Sequence, residues 1–468
     1  MVLSGITVPR FLPRLGLIFY SLLSLVIGRA QPAEVAGTMP EDYLPSLRPI
    51  LVTALQRSPQ VVEAHFLIES REAGRIAANA ARLPNLGANI NYGIREEAIS
   101  GNANSSSRDQ GLNYNIALNQ PVFHWGALKN QSDIARINVL LAEKNLAKAY
   151  RELGVLLRRL YLNLIVTKAR VRHSRESVKL LNESVNVLKQ RLDRGEVSPA
   201  EVAGEELRGK EASYEMRRIE GDFFTARRTF CRLAGIPKLE EDEVPNEIPN
   251  PVYSSDLTTA LSSTLLRDGA KSTLEAEMHA LRGREALLRY NIERVRLLPK
   301  FSLGASYGLQ NTTNVINNLV DQRAVAQQAV TFGANWAIFD GFATRAAKRE
   351  ARASQRVVEA RRQVELDALM EEAQALERQL KLDAELLELA DIRRALAVEG
   401  RKRIADEVAL GKMAPGEADR AQVGILAAEA NALASRAAFL DRWSAFVSVA
   451  GDDPVLNNLP VRHVRPKK

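Results

Sequence analysis

Hydrophobic and polar positions alternate with period two in four short runs of this 468-residue chain, and repeat every three to four residues in most of the rest. In the first run Leu86, Ala88, Ile90, Tyr92 and Ile94 share one side, with Gly87, Asn89, Asn91 and Gly93 on the other. In the second, Leu112, Tyr114, Ile116 and Leu118 oppose Asn113, Asn115, Ala117 and Asn119. The third sets Phe301, Leu303, Ala305, Tyr307 and Leu309 against Ser302, Gly304, Ser306, Gly308 and Gln310. The fourth sets Val330, Phe332, Ala334, Trp336 and Ile338 against Thr331, Gly333, Asn335 and Ala337. Strict alternation predicts β-strands, and runs of about ten residues are long enough for tilted strands to cross a bilayer. Both faces are uncharged, one aliphatic and aromatic, the other small and polar. A soluble sheet usually places Lys, Glu or Thr on its wet face, so a face of Asn, Gly, Ser and Thr suits a water-filled lumen, and Tyr, Trp and Phe toward strand ends suit an interfacial girdle. A soluble antiparallel sheet with one buried face is the plainer alternative. The polar stretches 95–110 and 311–328 read as the loops of two hairpins, 85–121 and 300–339.

Four strands cannot close a barrel, because the smallest outer-membrane barrels have about eight. An open sheet edge in lipid leaves backbone groups unpaired at several kcal/mol each. The chain must therefore oligomerise to close its sheet, and three copies would supply 4 × 3 = 12 strands.

After each second strand the pattern becomes helical. Leu146, Ala149, Leu153, Leu156, Leu160 and Leu164 step by three and four, as do Leu369, Ala373, Leu376, Leu380, Leu387 and Ala390 apart from one seven-residue step. The spacing predicts long helices over 126–194 and 344–410, each about 100 Å at 1.5 Å per residue. The first stops at Gly195 and restarts at Ser198-Pro199, a C-terminal glycine followed by an N-cap serine and a proline in the first helical position. The second stops at Gly411 and restarts at Pro415 without the serine. Return helices are expected over 199–235 and 415–451, and leading helices over 47–82, divided at Ser58-Pro59, and 257–297. Between them, 236–256 holds Pro237, Pro245, Pro249 and Pro251 in an acidic setting and reads as a linker or a belt.

The two halves are a tandem duplication. Pro84 and Tyr92-Gly93 match Pro299 and Tyr307-Gly308 at an offset of 299 − 84 = 215. Phe123 and Phe339, Gly195-x3-Pro199-x-Glu201 and Gly411-x3-Pro415-x-Glu417, and Leu233-Ala234-Gly235 and Val449-Ala450-Gly451 match at 411 − 195 = 216. This period is far above the roughly 20 to 50 residues of solenoid repeats. The repeats span 47–235 and 257–451, with an extension at 31–46 and a tail at 452–468.

Composition narrows the classes. Charged residues are 26%, aromatics 6% and the net charge +8, but basic residues are interspersed with acidic ones and no stacking aromatics accompany them. That is solvated helix surface, and no nucleic-acid partner is expected. The single cysteine, Cys231, cannot form an intrachain disulfide. Residues 1–30 read as a secretory signal: Arg10 and Arg14 precede an apolar core at 15–27, followed by Gly28-Arg29-Ala30. No other stretch approaches twenty uninterrupted apolar residues, so entry into a membrane must be by strands. His65, His124, His173, His279 and His463 lack metal-ligand spacing, and no phosphate loop, dinucleotide fingerprint or nucleophile elbow occurs. Neither a catalytic constellation nor a cofactor site is expected.

The order of helix, Leu-Pro, strand with Tyr-Gly, loop, strand ending Gln120-Pro121-Val122-Phe123 or Ile338-Phe339-Asp340-Gly341, long helix, Gly-x3-Pro turn and helix ending Leu-Ala-Gly or Val-Ala-Gly, twice over, resembles the TolC-family outer membrane efflux proteins. The resemblance implies an α+β membrane protein, a homotrimer whose twelve strands form one barrel in outer-membrane lipid, continued by an α-helical barrel across the periplasm. It implies the exit duct of a tripartite efflux or type I secretion system, docking a periplasmic adaptor and an inner-membrane pump of RND, ABC or MFS type. Gly195, Pro199, Gly411 and Pro415 then fall at the periplasmic tip. Glu201 and Glu417 take a position where the family usually has Asp. Asp193, Arg194, Arg403, Asp406 and Glu407 become candidates for a charged latch, with ordinary solvated surface the plainer reading of each. Asn89, Asn91, Asn113, Asn115 and Asn335 become lumen-facing. The rival class is a trimeric coiled-coil envelope tether with a small barrel anchor and no transport activity, and cargo is left open.

Overall fold

The computed structural model describes residues 39–99, 105–316, 319–414, 416–451 and 453–454; the expected signal and Pro415 lie outside them. Three helices lead in: α1 (Pro40–Tyr43), α2 (Leu47–Arg57) and α3 (Pro59–Ala80). The strands are β1 (Asn85–Ile99), β2 (Ser105–Phe123), β3 (Lys300–Ile316) and β4 (Leu319–Asn335). They form one antiparallel sheet in the order β1-β2-β3-β4, so the two repeats meet at the β2–β3 ladder. The alternating faces line up rung for rung: Leu86 faces Leu118, Ile116 faces Tyr307, and Leu303 faces Phe332.

Two expectations about the strands are corrected. The stretches 95–110 and 311–328 are mostly strand, with rungs such as Arg95 to Asp109 and Asn311 to Ala324 continuing beyond the alternating segments. Alternation marks only a strand with one apolar face, and these extensions carry polar residues on both faces, which breaks the period-two pattern. β4, in turn, ends at Asn335 rather than Phe339, because its partner β3 begins at Lys300 and offers no backbone beyond that rung. Trp336, Ile338 and Phe339 are left more than half exposed.

The helical body holds α4 (Ala127–Asp193), α5 (Pro199–Ala234), α6 (Ser255–Asp268), α7 (Leu274–Arg294), α8 (Ala343–Ala409) and α9 (Gly416–Ala450). α4 and α8 have 67 residues each, about 100 Å long. The leading segment of the second repeat is not one helix: it breaks at Gly269, whose φ is 61°, and restarts on Thr273, whose hydroxyl accepts from the Ala276 amide at 3.4 Å. Thr273 stands where Ser58 stands in the first repeat, 273 − 58 = 215, and both are buried. The break is thus shared by the repeats, but only the first marks it with a proline.

Near the sheet the helices pack in the row α3, α4, α7, α8; farther away the row is α5, α4, α9, α8. Burial follows the predicted stripes, with Leu153, Leu164, Ala373, Leu380, Leu387 and Ala390 all buried. Ion pairs tie the repeats across the row: Arg151 to Glu275, Lys144 to Glu277, and Arg172 to Glu429 at 2.8 Å. α9 is long and apolar enough to cross a membrane by composition, at a mean hydropathy of 1.3 over 18 residues. Its apolarity serves packing instead, since it lies between α4 and α8 with Leu440 and Phe446 fully buried. The proline-rich segment after α5 is a belt packed on the helices. Val244 and Ile248 are buried, Lys168 donates to the Val244 carbonyl at 2.6 Å, and Arg436 donates to that of Ile248 at 2.8 Å.

At mid-height Arg158 of α4 is completely buried. It donates to both Glu41 oxygens at 2.8 and 2.6 Å, to both Asp453 oxygens at 2.8 and 3.1 Å, and to Ser444 at 3.2 Å. Burial alone would lower its pKa, but the hydrogen bonds to Glu41 and Asp453 outweigh that and raise it, so the charge is kept. One guanidinium therefore fastens the residues before α2 and those after α9 to the middle of the longest helix. Asp453 belongs to the tail expected from 452 on, and the structure makes it part of the core. Arg158→Ala would remove the buried charge that Glu41 and Asp453 share and should cost about 3–5 kcal/mol; thermal unfolding in detergent checks this, and an unchanged midpoint would contradict it.

Candidate functional site

The sheet sorts its residues by face. On the apolar face Ile90, Tyr92, Val330 and Phe332 are each at least 66% exposed within one chain, and no described element covers them. Aromatic rings mark two levels of that face. Tyr114 and Tyr307 lie 6.3 Å apart at one level; at the helix end Phe123 lies 4.9 Å from Trp125, and Phe301 lies 5.9 Å from Phe332. The six residue steps from Phe301 to Tyr307 rise about 20 Å, close to the roughly 25 Å apolar band of outer-membrane barrels.

The opposite face gathers four of the five predicted asparagines. Asn89 pairs with Asn115 and Asn91 with Asn113 across β1 and β2, and the register continues to Gly308 and Gln310 on β3. With Gln327 of β4 they line a depression of about 280 Å³. Asn335 is not part of this group: it pairs with Lys300 at the helix end of the sheet. Gly304 and Gly308 keep the face shallow, since a Cβ at Gly304 would meet the Thr331 hydroxyl at 2.8 Å.

Where the sheet passes into the long helices, each repeat turns on two consecutive left-handed residues, Trp125-Gly126 with φ of 53° and 81°, and Gly341-Phe342 with φ of 63° and 69°. In each pair one residue carries a side chain, at a cost of about 1–2 kcal/mol. The Trp125 indole offsets part of it by donating to the Pro299 carbonyl at 2.8 Å. On the second side Asp340 accepts from the Thr344 amide at 2.8 Å and from its hydroxyl at 2.5 Å, fixing the start of α8.

At the far end α4 and α8 finish in the same closure. Gly195, with φ of 75°, donates to the Leu192 carbonyl at 2.8 Å, and Glu196 donates to that of Arg191 at 2.9 Å. Gly411, with φ of 69°, donates to Val408 at 2.9 Å, and Lys412 donates to Glu407 at 2.9 Å. Both are Schellman motifs, which need a left-handed residue after the helix. In the first turn Ser198 and Glu201 make a capping box: the Ser198 hydroxyl accepts from the Glu201 amide at 3.2 Å, and the Glu201 carboxylate accepts from the Ser198 amide at 3.1 Å.

The charges of the two turns differ. Arg191 and Glu196, at the ends of the first Schellman motif, form an ion pair at 3.2 Å, and Arg194 reaches Glu196 at 3.3 Å. The same positions in the second motif hold Glu407 and Lys412, the opposite arrangement of sign. Glu417 pairs with Arg420 at 2.5 Å. Asp193, Arg194 and Glu201 thus share one turn, Arg403, Asp406, Glu407 and Glu417 the other, and all but the partly covered Glu417 are exposed. No ion pair among the described residues joins the two turns. Pro199 opens α5, while its counterpart Pro415 lies outside the described residues. Among the described residues no group of His, Cys, Asp and Glu could hold a metal ion.

Residues 50–229, from α2 into α5, match the outer membrane efflux protein family. The whole fold is similar to several solved channels. The CmeC outer membrane channel of Campylobacter jejuni shares 12% identity over 87% of this chain and 86% of its own, with a TM-score of 0.67. The outer membrane protein VceC of Vibrio cholerae shares 15% over 88% and 97%, with a TM-score of 0.63. The open-state MtrE outer membrane channel of Neisseria gonorrhoeae shares 16% over 87% and 89%, also at 0.63. No curated protein matches the chain in sequence. The chain therefore has the TolC-like fold, a β domain joined to a long helical body, and it resembles the TolC-family efflux proteins in sequence over its first repeat.

Arg158 and the left-handed junction pairs were missed by sequence reasoning. Arg158 carried a usable signal, since it falls in register with Gly154, Leu157, Tyr161, Leu162 and Ile165, all buried. The two faces of the sheet should respond differently to charge: Ile90→Arg should cost about 2–4 kcal/mol, and Asn89→Arg much less, read as the loss of heat-modifiable, folded protein in outer-membrane fractions. At the turns, Ser198→Ala should remove about 1 kcal/mol. It should speed hydrogen exchange at the first amides of α5 and leave α9 unchanged.

Proposed function

We propose that this chain is an outer membrane exit duct: three copies close a twelve-stranded barrel, and their helices continue it as a water-filled passage into the periplasm. The observation that carries this reading is the sheet itself, with one uncovered apolar face, a polar face that is small and uncharged around Asn89, Asn91, Asn113 and Asn115, and two open edges, joined directly to helices about 100 Å long. The small uncharged residues of that middle stretch would pass hydrated solutes without binding them. The sequence holds no phosphate-binding loop, so in this reading transport is passive and a pump in the inner membrane drives it through a periplasmic adaptor.

The turns at Gly195 and Gly411 are the adaptor-facing tip in this reading, Pro199 starts the first returning helix, and the charges around the turns form the latch. Opening would exchange contacts between neighbouring turns for contacts with the adaptor. The inverted signs of Arg191 with Glu196 and of Glu407 with Lys412 support this arrangement, because a ring alternating the two turns sets opposite charges side by side. The tether reading has less support, since both long helices turn back on themselves and the sheet has a distinct polar face.

The purified protein should be trimeric by light scattering in detergent and should conduct ions across planar bilayers. A stable monomer in detergent-free buffer would overturn the proposal. Glu201→Gln with Glu417→Gln, which keeps the helix cap able to form, should raise the conductance; identical currents would remove these two residues from the latch.

A further inference from the structure

The helical row α5, α4, α9, α8 has two open flanks: the side of α5 turned from α4, and the side of α8 turned from α9. On α8 the open flank carries Leu382, Leu386, Leu389 and Leu396, which are 63%, 42%, 50% and 60% exposed. Steps of four, three and seven make this a heptad seam, on the opposite side from the stripe of Leu380, Leu387 and Ala390 that α8 buries. Glu385 and Glu388 stand beside the seam, exposed and without an ion pair to any other described residue.

On α5 the open flank forms one wall of a groove of about 670 Å³, completed by residues 236–239. Phe224 projects there, 51% exposed, with the guanidinium groups of Arg227 and Arg228 at 5.9 and 5.8 Å from its ring centre. Arg232 follows Arg228 one turn on. Neither Arg228 nor Arg232 has an ion pair with another described residue, whereas Lys238 in the same groove is paired with Glu240. The groove is apolar at its centre and carries unpaired positive charge at its rim; the seam is apolar with unpaired negative charge.

The two features also stand at one height. Phe230 of α5 lies 5.5 Å from Tyr161 of α4; one turn away Arg158 bonds Ser444 of α9 at 3.2 Å; and Arg442 of α9 pairs with Asp383 of α8 at 3.2 Å. A line drawn across the row through these contacts starts at the groove and ends at the seam. In a ring, the rotation that brings β4 of one copy beside β1 of the next also carries α8 to the open flank of α5, because β4 runs into α8 and α3 runs into β1.

We propose that the α5 groove is one half of an intersubunit site, occupied by the α8 seam of a second copy. Phe224 packs among Leu382, Leu386 and Leu389, and Glu385 and Glu388 neutralise Arg228 and Arg232. The site is incomplete in a single chain, and its charges select the neighbour's register, since a slip of one heptad would leave desolvated arginines without carboxylates. The proposal rests on the ring reading above.

The test uses the full-length protein with Cys231→Ala in detergent. Arg228→Cys combined with Glu385→Cys should give disulfide-linked dimers and trimers on non-reducing gels. Arg228→Cys with Glu371→Cys, fourteen residues or about 21 Å away along α8, should give none. If light scattering shows a trimer, yet neither the Glu385 pair nor an Arg228→Cys, Glu388→Cys pair links, the groove assignment fails and the ring stands. If the protein is monomeric, both fail. Charge exchange is independent of the cysteines: Arg228→Glu with Arg232→Glu should lower the temperature at which SDS separates the trimer, as should Glu385→Lys with Glu388→Lys. The four changes together should restore it, and a combination weaker than either double variant would overturn the pairing.

Discussion

Backbone hydrogen bonding at the edges of the sheet is the constraint on which the rest of the structure depends. Inside the sheet, β2 and β3 have both sides paired, but β1 and β4 each present a row of amides and carbonyls to no other described strand. In water such edges are tolerable; in lipid each unpaired group costs several kcal/mol. In the proposed ring, pairing β4 of one copy with β1 of the next removes both edges. The duplication answers the same need, because β2 of the first repeat and β3 of the second join into one ladder, leaving two edges per chain instead of four.

The helices repeat that logic in softer form. Their row has open flanks with exposed leucines on α8 and exposed aromatic and basic residues on α5, which water tolerates better than it tolerates apolar sheet. A hydrophobic core shared by α2, α4, α5, α8 and α9 holds the row together, and charged contacts at a few heights set its register. Arg158 is the most buried of them and the one that gathers distant parts of the chain, since Glu41 lies 117 residues before it and Ser444 and Asp453 lie 286 and 295 residues after it. The belt after α5 closes the same level from outside by giving its carbonyls to Lys168 and Arg436. The ends of the rods rest on local backbone chemistry instead, on the Schellman turns at Gly195 and Gly411 and the paired left-handed residues at the strand-to-helix junctions.

Much of this was legible in one dimension. Period-two runs located the apolar-faced part of every strand, Gly195 and Gly411 located both turns, and the four asparagines on β1 and β2 were assigned to one face that the register now brings together. The errors have a common origin in signals that require contrast. The strand extensions were read as loops because polar residues fall on both of their faces, and the break at Gly269 was missed because Thr273 does without the proline that follows Ser58. Asn335 matched the polar side in pattern, yet its rung against Lys300 sets it apart from the other four.

Sequence alone determined the repeat, the alternation of faces, the lengths of the rods and the glycines that end them, because each depends on contacts between residues close in the chain. Tertiary structure decided which strands are neighbours, which flanks of the helical row stay open, and which arginine among many is buried. Those outcomes depend on groups a hundred or more residues apart meeting at one height. Arg158 and Arg159 are adjacent and chemically identical, and only the packing of α4 between its neighbours makes the first the fully enclosed partner of Glu41 and Asp453 and leaves the second on the surface beside Asp441.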